Sequence, residues 1–235
     1  MATTFDQLTS HEFQLHVLHR IPRVAAFDCD GTLWAPDSGF GFMKWEIDNG
    51  FLPKQSGEAL LKRYELYKAG EVSEYDMCGE MVAIHAGMKV EDIIAASRRF
   101  AETEVKPYIF PAMEELVHRL QDTGCEIWAV TSTASWVVRE GLVPFGIAAN
   151  RVLGVELACA NGVATAEILA VPTDEHKAAA LKRAGVRPDA VFGNSMHDLQ
   201  MLEIARDAYA VNPNTDLRRT AEGRGWVVFD PQTTM

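Results

Sequence analysis

The chain has 235 residues, 48% of them hydrophobic and 23% charged, and 22 basic against 33 acidic side chains give a formal net charge of −11. Such proportions belong to an ordinary globular protein that can bury its own core, and the negative balance, with no basic stripe to neutralise phosphates, argues against a nucleic-acid partner. No run approaches the ~20 apolar residues needed to span a bilayer, so no membrane partner is expected.

The stretch 1–20 lacks a basic start followed by an apolar run, so no leader is expected. Cys29, Cys78, Cys125 and Cys159 are scattered and form no CxxC pair, which predicts reduced thiols and a cytoplasmic protein. The spacing of Phe13, Val17 and Leu18 predicts a short helix over 10–19. Val24-Ala25-Ala26-Phe27 then runs into Asp28-Cys29-Asp30-Gly31-Thr32. An apolar run bounded by a glycine turn reads as a buried parallel strand. From 37 to 107 the chain is rich in helix formers, with helices predicted over 56–69, 73–85 and 90–103 and no convincing strand between them. Next come a helix over 112–121 stopped at Gly124, a strand over 126–131 and a helix over 135–142. The segments 151–159 and 163–169 read as a hairpin turned at Asn161-Gly162. A helix over 173–184, with Asp174 as its cap, precedes a strand over 190–192. A helix over 197–205 and strands over 209–211 and 226–229 complete the pattern.

Alternating strands and helices predict an α/β fold, a doubly wound parallel sheet covered on both faces. The segments 1–36 and 108–235 form its core, and 37–107 form a helical cap inserted after the first strand. Ligands of such folds sit at the carboxyl ends of the strands, and there stand Asp28 and Asp30, Thr131, and Asn194 with Asp198. In an extended segment, residues two apart point to the same side. Two such carboxylates repel by ~4 kcal/mol at an effective dielectric of 20. A divalent cation relieves this, and carboxylates with waters suit Mg²⁺.

These motifs resemble those of the haloacid-dehalogenase-type phosphatases, in the branch similar to phosphoserine phosphatase. The first, DxDxT, stands as Asp28-Cys29-Asp30-Gly31-Thr32. Thr131 closes an apolar strand as the second, Lys177 in Asp174-Glu175-His176-Lys177 matches the third, and Gly193-Asn194-Ser195-Met196-His197-Asp198 matches the fourth. The resemblance covers the chain outside its first ~20 residues, and four motifs in order make it specific. It implies that Asp28 takes the phosphoryl group as an aspartyl-phosphate. Asp30 then serves as general acid and later as base. It further implies that Thr131 donates to a phosphoryl oxygen and that Lys177 neutralises charge. Asp28, the Asp30 carbonyl and Asn194 are implied to hold Mg²⁺, with Asp198 holding a metal-bound water or orienting the ligands. Asn194 departs from the family's more usual Asp, which predicts weaker metal affinity.

The implied partner is a small phosphorylated metabolite. Asp37 stands where phosphoserine phosphatases place a glutamate for the substrate ammonium. Trp34, Phe40, Phe42 and Trp45 surround it in sequence, and aromatics beside an acid suit a quaternary ammonium by cation–π attraction; packing of the insertion is the blander reading of these rings. Ser132 and Thr133 replace the glycines of typical phosphoserine phosphatases, which places Ser132 beside the substrate and favours a different ester. His16, His19, Arg63 and Lys68 read as surface residues, and His176 and His197 only adjoin motif residues. Rival readings are a phosphatase for phosphocholine or another amine-bearing phosphate, a non-catalytic phosphate-binding regulatory module, and a phosphoacceptor receiver domain. The chain's length and insertion do not suit the last.

Overall fold

The computed structural model describes residues 8–232. The first seven residues, part of the stretch read for a leader, and the last three lie outside the described residues. Among those described, no helix is long and apolar enough to cross a membrane.

Helix α1 (Ser10–His19) opens on a capping box, in which the Thr9 hydroxyl accepts from the Glu12 N–H and the Glu12 carboxylate accepts from the Thr9 N–H. Strand β1 (Val24–Phe27) follows. Four helices come next: α2 (Ser38–Asp48), α3 (Lys54–Lys68), α4 (Glu74–Ala83) and α5 (Val90–Phe100), the last continuing through a π turn over Ala101–Val105. The remainder is α6 (Pro111–Asp122), β2 (Glu126–Ala134), α7 (Ser135–Gly141), the pair β3 (Val152–Ala160) and β4 (Val163–Ala170), and α8 (Glu175–Arg183). After them come β5 (Ala190–Gly193), α9 (Leu199–Glu203), β6 (Asp207–Val211), α10 (Thr215–Arg224) and β7 (Val227–Phe229).

The seven strands form one sheet in the order β4-β3-β2-β1-β5-β6-β7. Every pairing is parallel except β3 with β4. This is the doubly wound α/β architecture. β1 sits at the centre, with Ala26 opposite Trp128 of β2 and Val191 of β5, so the carboxyl ends of these three strands converge. Alternation along β1 serves two layers. Ala25 and Phe27 join the core under α1 and α6, whereas Ala26 joins Leu181, Met201, Leu202, Leu217 and Ala221 from α8, α9 and α10 on the other face. Phe27 stacks on Phe192 at 4.1 Å between ring centroids, and Phe13 stacks on Phe229 at 4.1 Å.

The helical insertion divides its packing. Phe42, Val82, Ile93 and Phe100 belong to the main core, while Met43, Leu60, Val72 and Met77 form a small separate one. The β3–β4 turn, Asn161-Gly162, has both φ values positive, 52° and 77°, as a two-residue primed turn requires. It also braces the insertion. Gly87 N–H donates to Ala164 O at 2.8 Å, Ala164 N–H to Met88 O at 2.9 Å, and Val90 N–H to Gly162 O at 2.9 Å.

Several elements differ from the sequence expectation. α2 escapes the pattern because Gly39 and Gly41 lower its propensity, and Asp37 opens it by accepting from the Phe40 N–H at 2.9 Å. α10 buries only Leu217 and Ala221, too thin a stripe to read. β2 runs three residues past Thr131, through an irregularity in which Val130 pairs with Leu153 and Ala134 with Val155. Gly154 permits that close approach, since a Cβ there would lie 2.8 Å from the Thr133 carbonyl oxygen. Asp174 does precede α8 but does not cap it: its φ is 47° and its side chain caps no backbone N–H. The helix expected over 197–205 is a 3-10 turn, Met196–Asp198, followed by α9.

Candidate active site

Asp28 is the first residue beyond β1, and its N–H donates to Phe192 O at 2.9 Å, extending the ladder with β5. Its side chain is buried. Oδ1 accepts from Lys177 Nζ at 2.7 Å and Oδ2 from Thr32 Oγ1 at 3.0 Å. Lys177, in the first turns of α8, also donates to Asp198 Oδ1 at 2.6 Å. Asp198 Oδ2 in turn accepts from the Asn194 and Ser195 N–H groups at 2.9 and 3.0 Å. One lysine therefore serves two buried carboxylates. Burial, and then the negative charge of Asp198, push the Asp28 carboxyl up to about 7 against the pull of Lys177. Burial opposes the charge on Lys177, but Asp198 and Asp28 outweigh it and hold the ammonium protonated.

Asp30 lies on the same side as Asp28. Its Oδ1 accepts from Trp34 Nε1 at 2.6 Å, Ser38 N–H at 3.0 Å and Ser38 Oγ at 2.5 Å, and its Oδ2 accepts from Thr133 Oγ1 at 2.6 Å. Asp28, Asp30, Asn194 and Lys177 line one cavity of about 250 Å³. Asp37, Ser132 and Thr133 line it too, and α3 and α4 close it with Tyr64, Tyr67, Glu74 and Met77.

Three expected site residues, Trp34, Asp198 and Thr131, do not line this cavity. Trp34 is fully buried, with its ring 6.3 Å from that of Phe145, so its aromatic face meets no substrate. Asp198 is also fully buried, and both its oxygens are engaged by Lys177 and the 194–195 backbone. It anchors these groups and offers no face to the cavity. Thr131 is buried, and its hydroxyl oxygen accepts from the Thr133 N–H at 3.1 Å, which leaves its own proton to donate. Phe40 stacks on Tyr64 at 4.3 Å, while Phe42 and Trp45 pack against Phe100. Arg63 is paired with Glu80 at 2.8 Å.

Sequence reasoning missed Glu74, Tyr64 and Tyr67. Glu74 follows Ser73, which caps α4, and reads as an ordinary first-turn acid; the fold turns it inward. His197 bridges core and insertion, with Nδ1 2.8 Å from Asp174 Oδ1 and Nε2 3.9 Å from Glu74 Oε2. Asp37 keeps access to water, but within a concave cleft. Desolvation, and then Asp30, push its carboxyl up to about 6. Tyr64 is pushed up to about 12 by burial, and then by Asp37 and Glu74.

The donors fit a hard cation. Asp28 and Asn194 bring oxygens to one cavity from β1 and β5, beside Asp30, and the acids there outnumber Lys177. Gly31, at φ +74°, is the reason Asn194 fits: a Cβ at that position would lie 1.9 Å from the Asn194 amide nitrogen. Among the described residues no group of three or more His, Cys, Asp or Glu is gathered for a metal; the Asn194 amide stands beside the Asp28 and Asp30 carboxylates as a further oxygen-bearing group on that wall.

The chain is 25% identical over 219 residues to a histidinol-phosphatase of Neisseria meningitidis serogroup C, covering 88% of this chain and 98% of that one. A protein of unknown function from Bordetella pertussis Tohama I shares the fold with a TM-score of 0.78 at 23% identity, over 88% of this chain and 98% of the other. A substrate-bound phosphoserine phosphatase matches with a TM-score of 0.60 at 15% identity, over 88% and 92%. Residues 25–203 match the haloacid dehalogenase-like hydrolases, a span from β1 through α9 that takes in all four motifs; the chain belongs to that family and is an enzyme of its phosphatase type.

Proposed function

We propose that this enzyme hydrolyses a small phosphomonoester through a phosphoryl group carried transiently on Asp28. The observation that carries the reading is the Asp28 carboxylate, fixed at the end of the central strand by Lys177 and Thr32, with Asp30 beside it in the same cavity. A carboxylate oxygen of Asp28 attacks phosphorus, and the bond to the ester oxygen breaks. Asp30 gives its proton to the departing alcohol. Asp30 then takes a proton from the water that attacks phosphorus, and the bond to Asp28 breaks. Lys177 holds Asp28 in place and offsets charge, and Thr131 donates to a phosphoryl oxygen. Asp28, the Asp30 carbonyl and Asn194 would hold Mg²⁺, which supplies charge neutralisation at the phosphoryl oxygens when bound. Residues 37–107 act as the cap and exclude competing water. The cysteines stand free, which suits a reducing cytoplasm.

The outer cavity favours a second, finer reading: an ester whose alcohol carries an amine or another cation and no carboxylate. Asp37 and Glu74 line that part with Tyr64 and Tyr67, and the only Lys or Arg on the described wall is Lys177, already held by two acids. The other basic group on that wall, His197, is set between Asp174 and Glu74, so a substrate carboxylate finds no unpaired cation, whereas an ammonium finds two carboxylates and aromatic faces. The amine-bearing alternative thus stands ahead of phosphoserine, and the name of the Neisseria relative agrees with it.

The test is phosphate release over a panel of amino-alcohol, amino-acid, sugar and nucleotide monophosphates with Mg²⁺ and with EDTA. Turnover that needs Mg²⁺ and disappears in Asp28→Asn supports the reading. Unchanged turnover in Asp28→Asn overturns the nucleophile, and silence over the whole panel favours the phosphate-binding module.

A further inference from the structure

We propose that Trp34 and Ser38 are positioning residues for Asp30, and that they confine its transferable proton to the oxygen Oδ2. The inference rests on the phosphatase reading above and adds to it which oxygen works and what selects it.

The two oxygens of Asp30 have unequal company. Oδ1 faces the Trp34 indole N–H at 2.6 Å, the Ser38 peptide N–H at 3.0 Å and the Ser38 hydroxyl at 2.5 Å. Among the described residues Oδ2 accepts from the Thr133 hydroxyl alone, at 2.6 Å. An indole N–H and a peptide N–H donate and cannot accept. A proton on Oδ1 would therefore crowd two N–H hydrogens that have no lone pair to receive it, with the Ser38 hydroxyl alone able to turn and accept. A hydroxyl rotates and both donates and accepts, so Thr133 tolerates Oδ2 in either protonation state. When Asp30 is protonated, the proton belongs on Oδ2, and Asp30 and Thr133 both line the cavity.

The surroundings hold this arrangement. Trp34 is wholly buried, and a Cβ on Gly141 would lie 3.2 Å from its ring, so the indole is closely backed. Ser38 opens α2 and is itself fully buried. The donors to Oδ1 thus come from the core side of the first loop and from the first turn of the insertion. Gly39 leaves space for the partner of Oδ2, since a Cβ there would lie 2.8 Å from Thr133 Oγ1. Without the donors on Oδ1, the carboxyl can turn over or take its proton on the oxygen that faces α2.

The leaving group reads this out. In the first half-reaction the ester oxygen departs with the bonding electron pair and takes the proton from Asp30 Oδ2, leaving the carboxylate. An alkoxide needs that proton, whereas a nitrophenolate departs without it. The value of kcat/KM covers the steps up to that departure. The experiment compares wild type, Trp34→Phe, Ser38→Ala and Asp30→Asn on p-nitrophenyl phosphate and on the phosphate ester of an amino alcohol, with Mg²⁺. For Trp34→Phe we expect a ~10–100-fold fall in kcat/KM on the alkyl ester and a far smaller fall on the aryl ester. Ser38→Ala leaves the indole and the core untouched, and should repeat the pattern at smaller size. Asp30→Asn should show the same leaving-group bias, more strongly. Equal losses on the two esters, in whichever variants fold, would mean a general structural role, and no loss on the alkyl ester would mean that Oδ1 needs no donors; either result overturns the proposal. Failure of the phosphatase reading is seen separately, as wild-type protein that cleaves neither ester, and the proposal falls with it.

Discussion

Lys177 Nζ and Asp198 Oδ1 lie 2.6 Å apart, and both side chains are sealed from water. The same carboxylate receives the Asn194 and Ser195 N–H groups on its other oxygen. One side chain thus fixes the lysine that holds Asp28 and the loop that carries Asn194. Removing Asp198 leaves Lys177 paired with Asp28 but strips the Asn194 and Ser195 N–H groups of their acceptor. Asp198→Ala is therefore expected to lose ~1–3 kcal/mol of stability and nearly all turnover, with Asp198→Asn less severe in urea unfolding. Gly193→Ala should fall in the same direction, because a Cβ there would lie 2.6 Å from the Asp198 Cβ, and a carboxylate bound on both oxygens cannot yield. Wild-type stability in Asp198→Ala would show the anchor to be redundant.

Asn194 makes a different prediction. It faces the cavity with Asp28 but brings no charge. A ligand that binds only the folded state stabilises it, by ~2.7 kcal/mol at a hundred times its Kd. Mg²⁺ should therefore raise the melting temperature, and the response should be lost in Asp28→Asn. Asn194→Asp should melt lower than wild type without metal, because a further carboxylate joins Asp28 and Asp198. It should also reach half its thermal response at lower Mg²⁺. An unchanged titration midpoint would show that Asn194 is not a ligand. Gly31→Ala should disrupt the site in both backgrounds, since its φ of +74° and the adjacent Asn194 amide leave no place for a Cβ.

The sheet was legible because Val24–Phe27, 126–131 and 190–192 are short apolar runs that end in polar residues, and the hairpin because Asn161-Gly162 suits few other structures. Asp28, Lys177 and Asn194 were legible as motif residues, and they do meet in one cavity. What escaped depends on tertiary placement. Trp34 reads as an aromatic near an acid, but only the return of the chain at α2 and α7 shows that the ring is buried and its N–H is the working part. Glu74 reads as a first-turn acid, and nothing in its neighbours tells that α4 aims it at the cavity. Asp198 reads, from its motif spacing, as holding a metal-bound water or orienting the ligands, and the sequence does not say which; its burial and its contacts to Lys177 and the 194–195 backbone are those of an orienting group.

The bracing of the insertion by the β3–β4 turn predicts uneven mobility. Gly87, Val90 and Ala164 share backbone hydrogen bonds between hairpin and insertion, and α5 contributes to the main core. By contrast, α3 buries only Gly57 and Leu60, and no side chain caps its start at Pro53. Segments with few buried contacts open at low free energy. Hydrogen exchange should therefore find amides of α3 exchanging well before those of Val90 and Ala164, and substrate analogues should slow α3 most, because Tyr64 and Tyr67 lie on it. Uniform protection across 37–107 would mean that the insertion opens as one unit.

Asp37 supplies the pH dependence. Its folded carboxyl is raised to about 6, by desolvation and then by Asp30, above the ~3.9 of an unfolded aspartate. Between these values the folded state binds more protons than the unfolded one, so stability falls as pH rises. The contribution is complete below the unfolded value and is lost as pH passes through about 6. A shift of that size corresponds to ~3 kcal/mol unscreened, but the side chain retains access to water, so ~1 kcal/mol is the expected size. Asp37→Asn can still accept the Phe40 N–H, and should be more stable than wild type at pH 7–8, with the difference gone below pH ~4. The same charge has the opposite value for binding. For an amine-bearing ester, KM should rise as pH falls below ~6, because the protonated acid no longer attracts the ammonium. It should rise in Asp37→Asn at every pH, and in Glu74→Gln as well. For p-nitrophenyl phosphate, which carries no cation, neither substitution should raise KM. A parallel rise for both esters would assign Asp37 to holding α2 and not to the leaving group.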